Sequence, residues 1–208
     1  MKNIFKTTVT LSFILSLLFT SCESWIDPQI NQDPDQVIDV PSRLLLPAAQ
    51  GNMAYTFGGF NVTGVSAMWT QQITGNSQQA IAMYSYNVKE ENASNTWDSF
   101  YPDIMMNLKI VMDKSAGNSP HYAGVAKVLM ALSLGNCSNL FGDIPYTEAF
   151  LGNENLTPKY DTQEEIFSSI LSLLGEAIND LQTPAIDNPV PLEGDIIYVN
   201  DIDAWLRA

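Results

Sequence analysis

His121 is the only histidine of this 208-residue chain, and Cys22 and Cys137 are its only cysteines. That inventory limits the chemistry. A structural zinc site takes four Cys/His ligands, more than the chain holds. A Ser-His-Asp or Cys-His nucleophile would have to recruit His121, which follows Pro120 at a helix start beside Tyr122. The nucleophile elbow Gly-x-Ser-x-Gly is missing, because Gly64-Val-Ser66-Ala-Met68 lacks its last glycine. A phosphate loop, Gly-x-x-x-x-Gly-Lys-Ser/Thr, is absent as well.

Glycoside hydrolysis needs only two carboxylates. Glu90-Glu91 and Glu164-Glu165 are adjacent pairs, but neighbours on a helix point apart. Glu165 is also expected to be used in capping a helix. Asn31-x-Asp33-x-Asp35 begins like a calcium loop, yet its sixth and twelfth positions hold Gln36 and Ser42 instead of Gly and Glu. It reads as a turn. The expectation is therefore a protein without catalytic residues, metal or cofactor.

Composition points the same way. Nine Lys+Arg stand against 23 Asp+Glu, a net charge of -14, yet only 15% of residues are charged and 46% are hydrophobic. A disordered acidic tail is less apolar. The balance lacks the basic footprint that displaces counterions from nucleic acid. The length suits one domain, or two small ones, with a real core.

The elements that could position side chains are helical. Ser42 to about Phe57 reads as helix, with Leu45, Ala48, Ala49 and Met53 on one side and Pro47 as a kink or delayed start. Gly58-Gly59 breaks it. Val62 to about Thr74 is a weaker helix holding Met68-Trp69, and 75–92 reads as polar and irregular. Trp97, Tyr101, Ile104, Leu108 and Val111-Met112 form a stripe at helical spacing. Gly117-Asn118-Ser119-Pro120 ends that helix. The helix from Ala123 to about Leu140 is apolar nearly all round, through Val125, Val128, Leu129, Leu132 and Leu134, so it is expected to be buried. Cys137 lies in it as a small hydrophobe.

Thr162-x-x-Glu165 is a capping box opening a helix whose stripe is Ile166, Ile170, Leu173-Leu174, Ala177 and Leu181. A Pro-rich loop covers 183–193, a short extended turn covers 194–200, and another helix begins at Asp203-Ala204-Trp205. The fold class is all-α: a tetratricopeptide-like helix-turn-helix array with long irregular loops. The 34-residue signature of those repeats is absent.

Residues 1–21 read as a secretory signal. Lys2 and Lys6 precede an uncharged apolar stretch, Val9 to Phe19, too short to span a bilayer. Leu17-Leu18-Phe19-Thr20-Ser21-Cys22 is similar to a bacterial lipobox, with Cys22 as the acylated residue. Several acyl chains make a stable anchor where one does not. Loss of 1–21 leaves 7 Lys+Arg against 23 Asp+Glu, a net charge of -16. It also leaves Cys137 as the one free thiol, so no disulfide forms within the mature monomer. Residues 22–41, rich in Asp-Pro and Asn, read as a surface tether.

Ala126 to Phe150 reads AKVLMALSLGNCSNLFGDIPYTEAF, followed by Pro158-Lys159-Tyr160-Asp161 and the capped helix. Then come Asp195-Ile-Ile-Tyr198, Asn200-Asp201 and Trp205. With the lipobox, Trp97-x-x-x-Tyr101 and Asn31-x-Asp33-Pro34, this resembles the SusD/RagB group of Bacteroidota surface lipoproteins. The branch is the one with a Gly-Asp-x-Pro-Tyr-x-Glu-Ala motif. Here that motif is Gly142, Asp143, Pro145, Tyr146 and Glu148. It reads as a corner between helix layers: a positive φ at Gly142, Asp143 bonding its own following amides, and Tyr146 packing its ring with a wet hydroxyl. Asn200 stands where the family usually has Gly, and Asn tolerates the left-handed conformation. The family's chain continues past the Trp205 helix, so 42–208 is expected to be the N-terminal part of a longer domain.

The resemblance implies a non-catalytic protein, lipid-anchored on the outer membrane and exposed at the cell surface. It would hand oligosaccharides or peptides to a SusC-like TonB-dependent transporter. It also places part of the ligand site within 60–92, where Trp69, Gln72, Asn76, Tyr84 and Tyr86 are the candidates. Core packing is slightly favoured for Trp69, a plain surface loop for the two tyrosines, and the core for Trp97. A tetratricopeptide-like interaction protein without a small ligand, or less readily a carboxylate glycosidase, are the alternatives. Replacing Cys22 by Ala should move the protein from the membrane fraction to the soluble one in a fractionation experiment. Retention in the membrane would refute the lipobox reading.

Overall fold

Backbone chemistry favours proline at the first turn of a helix and glycine just past its end, and the longest helix has both. Pro120 sits where no N–H is needed, and Gly142 follows the last residue at φ +80°. The computed structural model describes residues 39–87, 89 and 91–208. The signal, Cys22, the Asn31–Asp35 turn and all but the end of the tether lie outside these. The helices are α1 (Ser42–Gly58), α2 (Val65–Trp69), α3 (Gln78–Tyr84), α4 (Glu91–Asp98), α5 (Met106–Ser115), α6 (Pro120–Phe141), α7 (Gln163–Leu181) and α8 (Ile202–Arg207). Wide π-helical segments at Phe60–Gly64 and Ser99–Met105 lead into α2 and α5. Among the described residues there is no strand, only one antiparallel bridge between Ile144 and Asp161. The all-α expectation holds.

The core is built around α6, which packs against α5 on one side and α7 on the other. Val125, Leu129, Met130 and Leu134 of α6 meet Leu108 and Val111 of α5 and Ile166 and Leu173 of α7 in one cluster. Lys127 binds across the α6–α7 seam to Glu176 at 2.9 Å and Asp180 at 2.8 Å. Cys137 is fully buried, and that burial pushes its thiol up to about 12. It is an inert packing residue, as expected.

Several sequence expectations need correction. The long helix is not buried all round, since Leu132 and Leu140 are 50% and 44% exposed. Leu132 lines a groove with Ile170, Leu174, Tyr198 and Trp205. In α1, Ala48 is exposed while Leu46 and Gln50 are buried, which turns the inward face by part of a turn. Residues 75–92 are not all irregular, because α3 and the start of α4 lie there. The expected helix to Thr74 ends at Trp69, and Gln71 stands at φ +59°. Pro102, inside the Trp97 stripe, removes an N–H. The helix is π-helical across it, and Phe100 and Met105 are fully buried there alongside Ile104.

Pro47 does not delay α1, which runs unbroken from Ser42 to Gly58, although it cannot donate to the Arg43 carbonyl four residues back. Gly194, at φ +78°, lies against that carbonyl. A Cβ there would fall 2.4 Å from Arg43 O and 3.4 Å from Pro47 Cδ. The next residue, Asp195, is 4% exposed and gathers the C-terminal loop. Its carboxylate accepts from Gln50 Nε2 at 2.6 Å, Trp205 Nε1 at 2.8 Å, and the Ile197 and Asn200 amides at 3.0 Å each. Gln50 returns a bond by accepting from Ile196 N at 2.8 Å. Burial pushes the Asp195 carboxyl up, but the bonds from Trp205 and Gln50 outweigh it and hold the group below its ordinary range. Asn200 adopts the left-handed conformation at φ +64°, as expected.

Gly194→Ala and Gly117→Ala separate backbone strain from steric contact. Both glycines have φ +78°, but nothing lies within 4 Å of a Cβ at Gly117. Gly117→Ala should cost about 1 kcal/mol, and Gly194→Ala about 3 kcal/mol because backbone must also move. Urea denaturation of both variants checks this, and equal losses would contradict the packing described.

Candidate functional site

The sequence candidates all fall between α2 and the residues just past α3. Trp69 ends α2, and its Nε1 donates to Met83 O of α3 at 3.0 Å. Tyr86 donates its hydroxyl to Trp69 O at 2.9 Å. The two rings stack with centroids 6.2 Å apart and planes 24° apart. Each residue therefore fixes the other. Trp69 is 42% exposed and Tyr86 60% exposed. The slight preference for Trp69 as a core residue is thus corrected: its position at the end of a five-residue helix leaves one side uncovered. Tyr84 belongs to α3 and is 39% exposed, not a loop residue. Gln72 and Asn76 are exposed, and neither they nor Tyr84 line the cavity beside Trp69.

That cavity, of about 140 Å³, opens where α2, α3 and α4 meet the end of α6. Its wall includes Val65, Trp69, Met83, Thr96 and Phe141, and among the described residues no charged one lines it. The polar groups facing it belong to Asn61, Ser66 and Thr96. The sequence reading missed these three, along with Met83. Asn61 and Ser66 sit on the π-turn and the first turn of α2, whose phase cannot be read from an apolar pattern. Thr96 is buried at 5% exposure inside a polar stretch of α4. Gln71, Gln78 and Tyr86 all have positive φ, at 59°, 48° and 57°. Such clustering of left-handed non-glycine residues is costly and is a feature of binding sites.

Trp97, expected in the core, is half-buried. It packs edge-on to Phe141 at 5.1 Å, against Tyr101 at 4.8 Å, and stacks on the largely exposed Tyr160 at 6.3 Å. Tyr101 donates to Pro145 O at 2.9 Å and so ties this helix to the corner motif. Burial of its ring holds the Tyr101 hydroxyl neutral.

The corner itself is architecture. Gly142 takes its positive φ. Asp143 does not bond its own following amides. Its carboxylate accepts from Gln163 N at 2.9 Å and holds the start of α7. Glu148 accepts from Asn155 Nδ2 at 3.3 Å and Lys159 N at 3.2 Å, bracing the loop between the helices. Tyr146 is half-buried, and that burial raises its hydroxyl's pKa. Asp161, 1% exposed, accepts from Thr147 N at 2.7 Å, Thr147 Oγ1 at 2.7 Å and Tyr146 N at 2.9 Å. Lys159 Nζ lies 3.2 Å away.

The enzyme candidates fare as follows. His121 Nε2 faces Thr183 O at 2.8 Å and its backbone N donates to Asn188, so it fastens the 183–193 loop. Thr162 and Glu165 form the expected capping box. Glu90 and the Glu91 side chain lie outside the described residues. No group of three or more His, Cys, Asp or Glu is placed to hold a metal among the described residues. Among them, too, no helix is long and apolar enough to cross a membrane.

Residues 34–208 match the model of a SusD-like family described as starch-binding and associating with the outer membrane. Solved structures with the same fold include a SusD/RagB family protein from Bacteroides thetaiotaomicron VPI-5482, 26% identical with a TM-score of 0.71. That match covers 81% of this chain and 36% of the other. A chitin-binding protein is 24% identical with a TM-score of 0.66, covering 80% of this chain and 36% of its own. A chitin-binding SusD homolog from Flavobacterium johnsoniae is 20% identical with a TM-score of 0.52, covering 77% and 36%. The chain thus spans 36% of the length of each of these three. None of the curated proteins matches it.

Asp161 makes the corner's strength pH-dependent. Burial raises its carboxyl's pKa, but the Thr147 and Tyr146 bonds and Lys159 lower it further, to a net value under the ordinary 3.8. A lowered folded value stabilises fully above 3.8 and loses that stabilisation as pH falls through the folded value. Asp161→Asn should therefore cost about 2 kcal/mol at neutral pH. In urea titrations across pH, the gap to wild type should close only in acid. A gap independent of pH would show that the charge is not what holds the corner.

Proposed function

By the match over residues 34–208 the chain belongs to the SusD-like family, and from that premise we propose that it binds neutral oligosaccharides at the Trp69–Tyr86 site. Members of this family are non-catalytic binding proteins. The observation that carries the proposal is an exposed, mutually fixed aromatic pair beside a cavity with no charged residue among its described lining. Aromatic rings offer flat faces to the C–H faces of sugars, and free amide and hydroxyl groups offer the partners that sugar hydroxyls need. The described lining is uncharged in a chain of net charge -14, which favours neutral ligands over anions.

The remaining parts of the role follow from the family and the leader sequence. Acylation of Cys22 would hold the protein at the outer membrane with its ligand face outward. A SusC-like TonB-dependent barrel would receive the bound glycan. The two chitin-binding relatives support a glycan ligand.

Trp69→Ala removes the stacking face and should weaken oligosaccharide binding at least about tenfold by calorimetry or affinity electrophoresis. Trp205→Phe, on the far groove, should leave binding unchanged. No product should form on prolonged incubation, because the role is binding alone. Equal loss in both variants would mean that Trp69 acts through folding, and turnover would refute the non-catalytic reading.

A further inference from the structure

The cavity beside Trp69 has two kinds of wall. Val65, Met83, Leu140 and Phe141 make one side apolar. A sugar hydroxyl pressed against them would give up its bonds to water and gain none. The other kind is polar and unpaired: the side chains of Asn61, Ser66 and Thr96 make no hydrogen bond among the described residues. Thr96 is 5% exposed and lies at the cavity's edge. Bare hexoses leave this combination half used. A short substituent that carries an amide and ends in a methyl group uses both kinds of wall.

Resting on the neutral-glycan reading above, we infer that this cavity takes the acetamido group of a 2-acetamido sugar while the sugar ring lies on Trp69. The methyl occupies the apolar side, where it displaces water at no polar cost. The amide N–H and C=O pair with the free groups of Asn61, Ser66 and Thr96. A free amine or a carboxylate in the same place would be desolvated without a counter-charge from the described lining, none of which is charged. The site therefore selects the acetylated sugar over its deacetylated and acidic counterparts.

Calorimetry on the full chain with four probes tests this. Chitotetraose carries the acetamido group, and cellotetraose has the same β-1,4 backbone with a hydroxyl in its place. Maltotetraose is a second bare glycan, and an acetyl-capped apolar tetrapeptide is the non-sugar probe. Chitotetraose should bind at least about tenfold more tightly than cellotetraose. Ala93→Leu, which fills the cavity, should abolish that preference. Thr96→Val, which keeps the volume, should reduce it several-fold without loss of helical circular dichroism.

If cellotetraose or maltotetraose binds as tightly as chitotetraose, the acetamido assignment fails while the glycan reading stands. If chitotetraose keeps its preference in both folded variants, the acetamido group is recognised elsewhere and the assignment fails. If no oligosaccharide binds, or only the peptide does, the glycan reading and this inference fall together.

Discussion

Asp161 is a carboxylate with almost no exposed surface and four donors around it. A buried charge in that position is stable only while its partners stay in place. The partners come from the turn after α6 and from the strand-like segment before α7, which the Ile144–Asp161 bridge also joins. Asp161 therefore fixes where α7 starts relative to where α6 stops. Tyr101 adds a third element by bonding Pro145 O. The end of α6 carries Leu140 and Phe141, two walls of the cavity beside Trp69. The position of the candidate site thus depends on a corner that lies outside the cavity's described lining.

The molecule divides its labour accordingly. The α5–α6–α7 core is closed by apolar packing, and a second buried carboxylate, Asp195, closes the C-terminal loop onto Gln50 and Trp205. The α2–α3 segment has short helices, left-handed residues and exposed aromatic rings. Segments of this kind have little burial of their own and are positioned by the scaffold behind them. Acidic residues dominate the charge of the chain, yet none of the described residues lining the cavity is charged.

Much of the fold was legible in the sequence. The stripe on α7, the Thr162–Glu165 box, the Pro120 start and the Gly142 stop are local signals, and local signals act through backbone sterics and one-turn hydrogen bonds. Asn200 was legible too, because its tolerance of positive φ is a property of its own side chain. The phases of α1 and of the Trp97 helix were less legible. Pro47 was expected to kink or delay its helix, but α1 runs on through it with Gly194 packed against the Arg43 carbonyl. That contact comes from the far end of the chain and is not visible beside the proline. Asp143 was expected to bond locally and instead reaches Gln163, twenty residues on.

The sequence by itself determined the helical class, the order of the long helices and the lack of familiar catalytic and metal motifs. Those are set by composition and by periodicity, which are written along one chain. Tertiary structure decided which of the candidates act together. Trp69 and Tyr86 meet through a hydrogen bond and a stacked pair, while Gln72, Asn76 and Tyr84 stay outside the cavity. Asn61, Ser66 and Thr96 join them from elements that no apolar pattern marks. A cavity is a product of surfaces brought together from distant parts of the chain. Its lining is therefore fixed by packing around the Asp161 corner and not by any local run of residues.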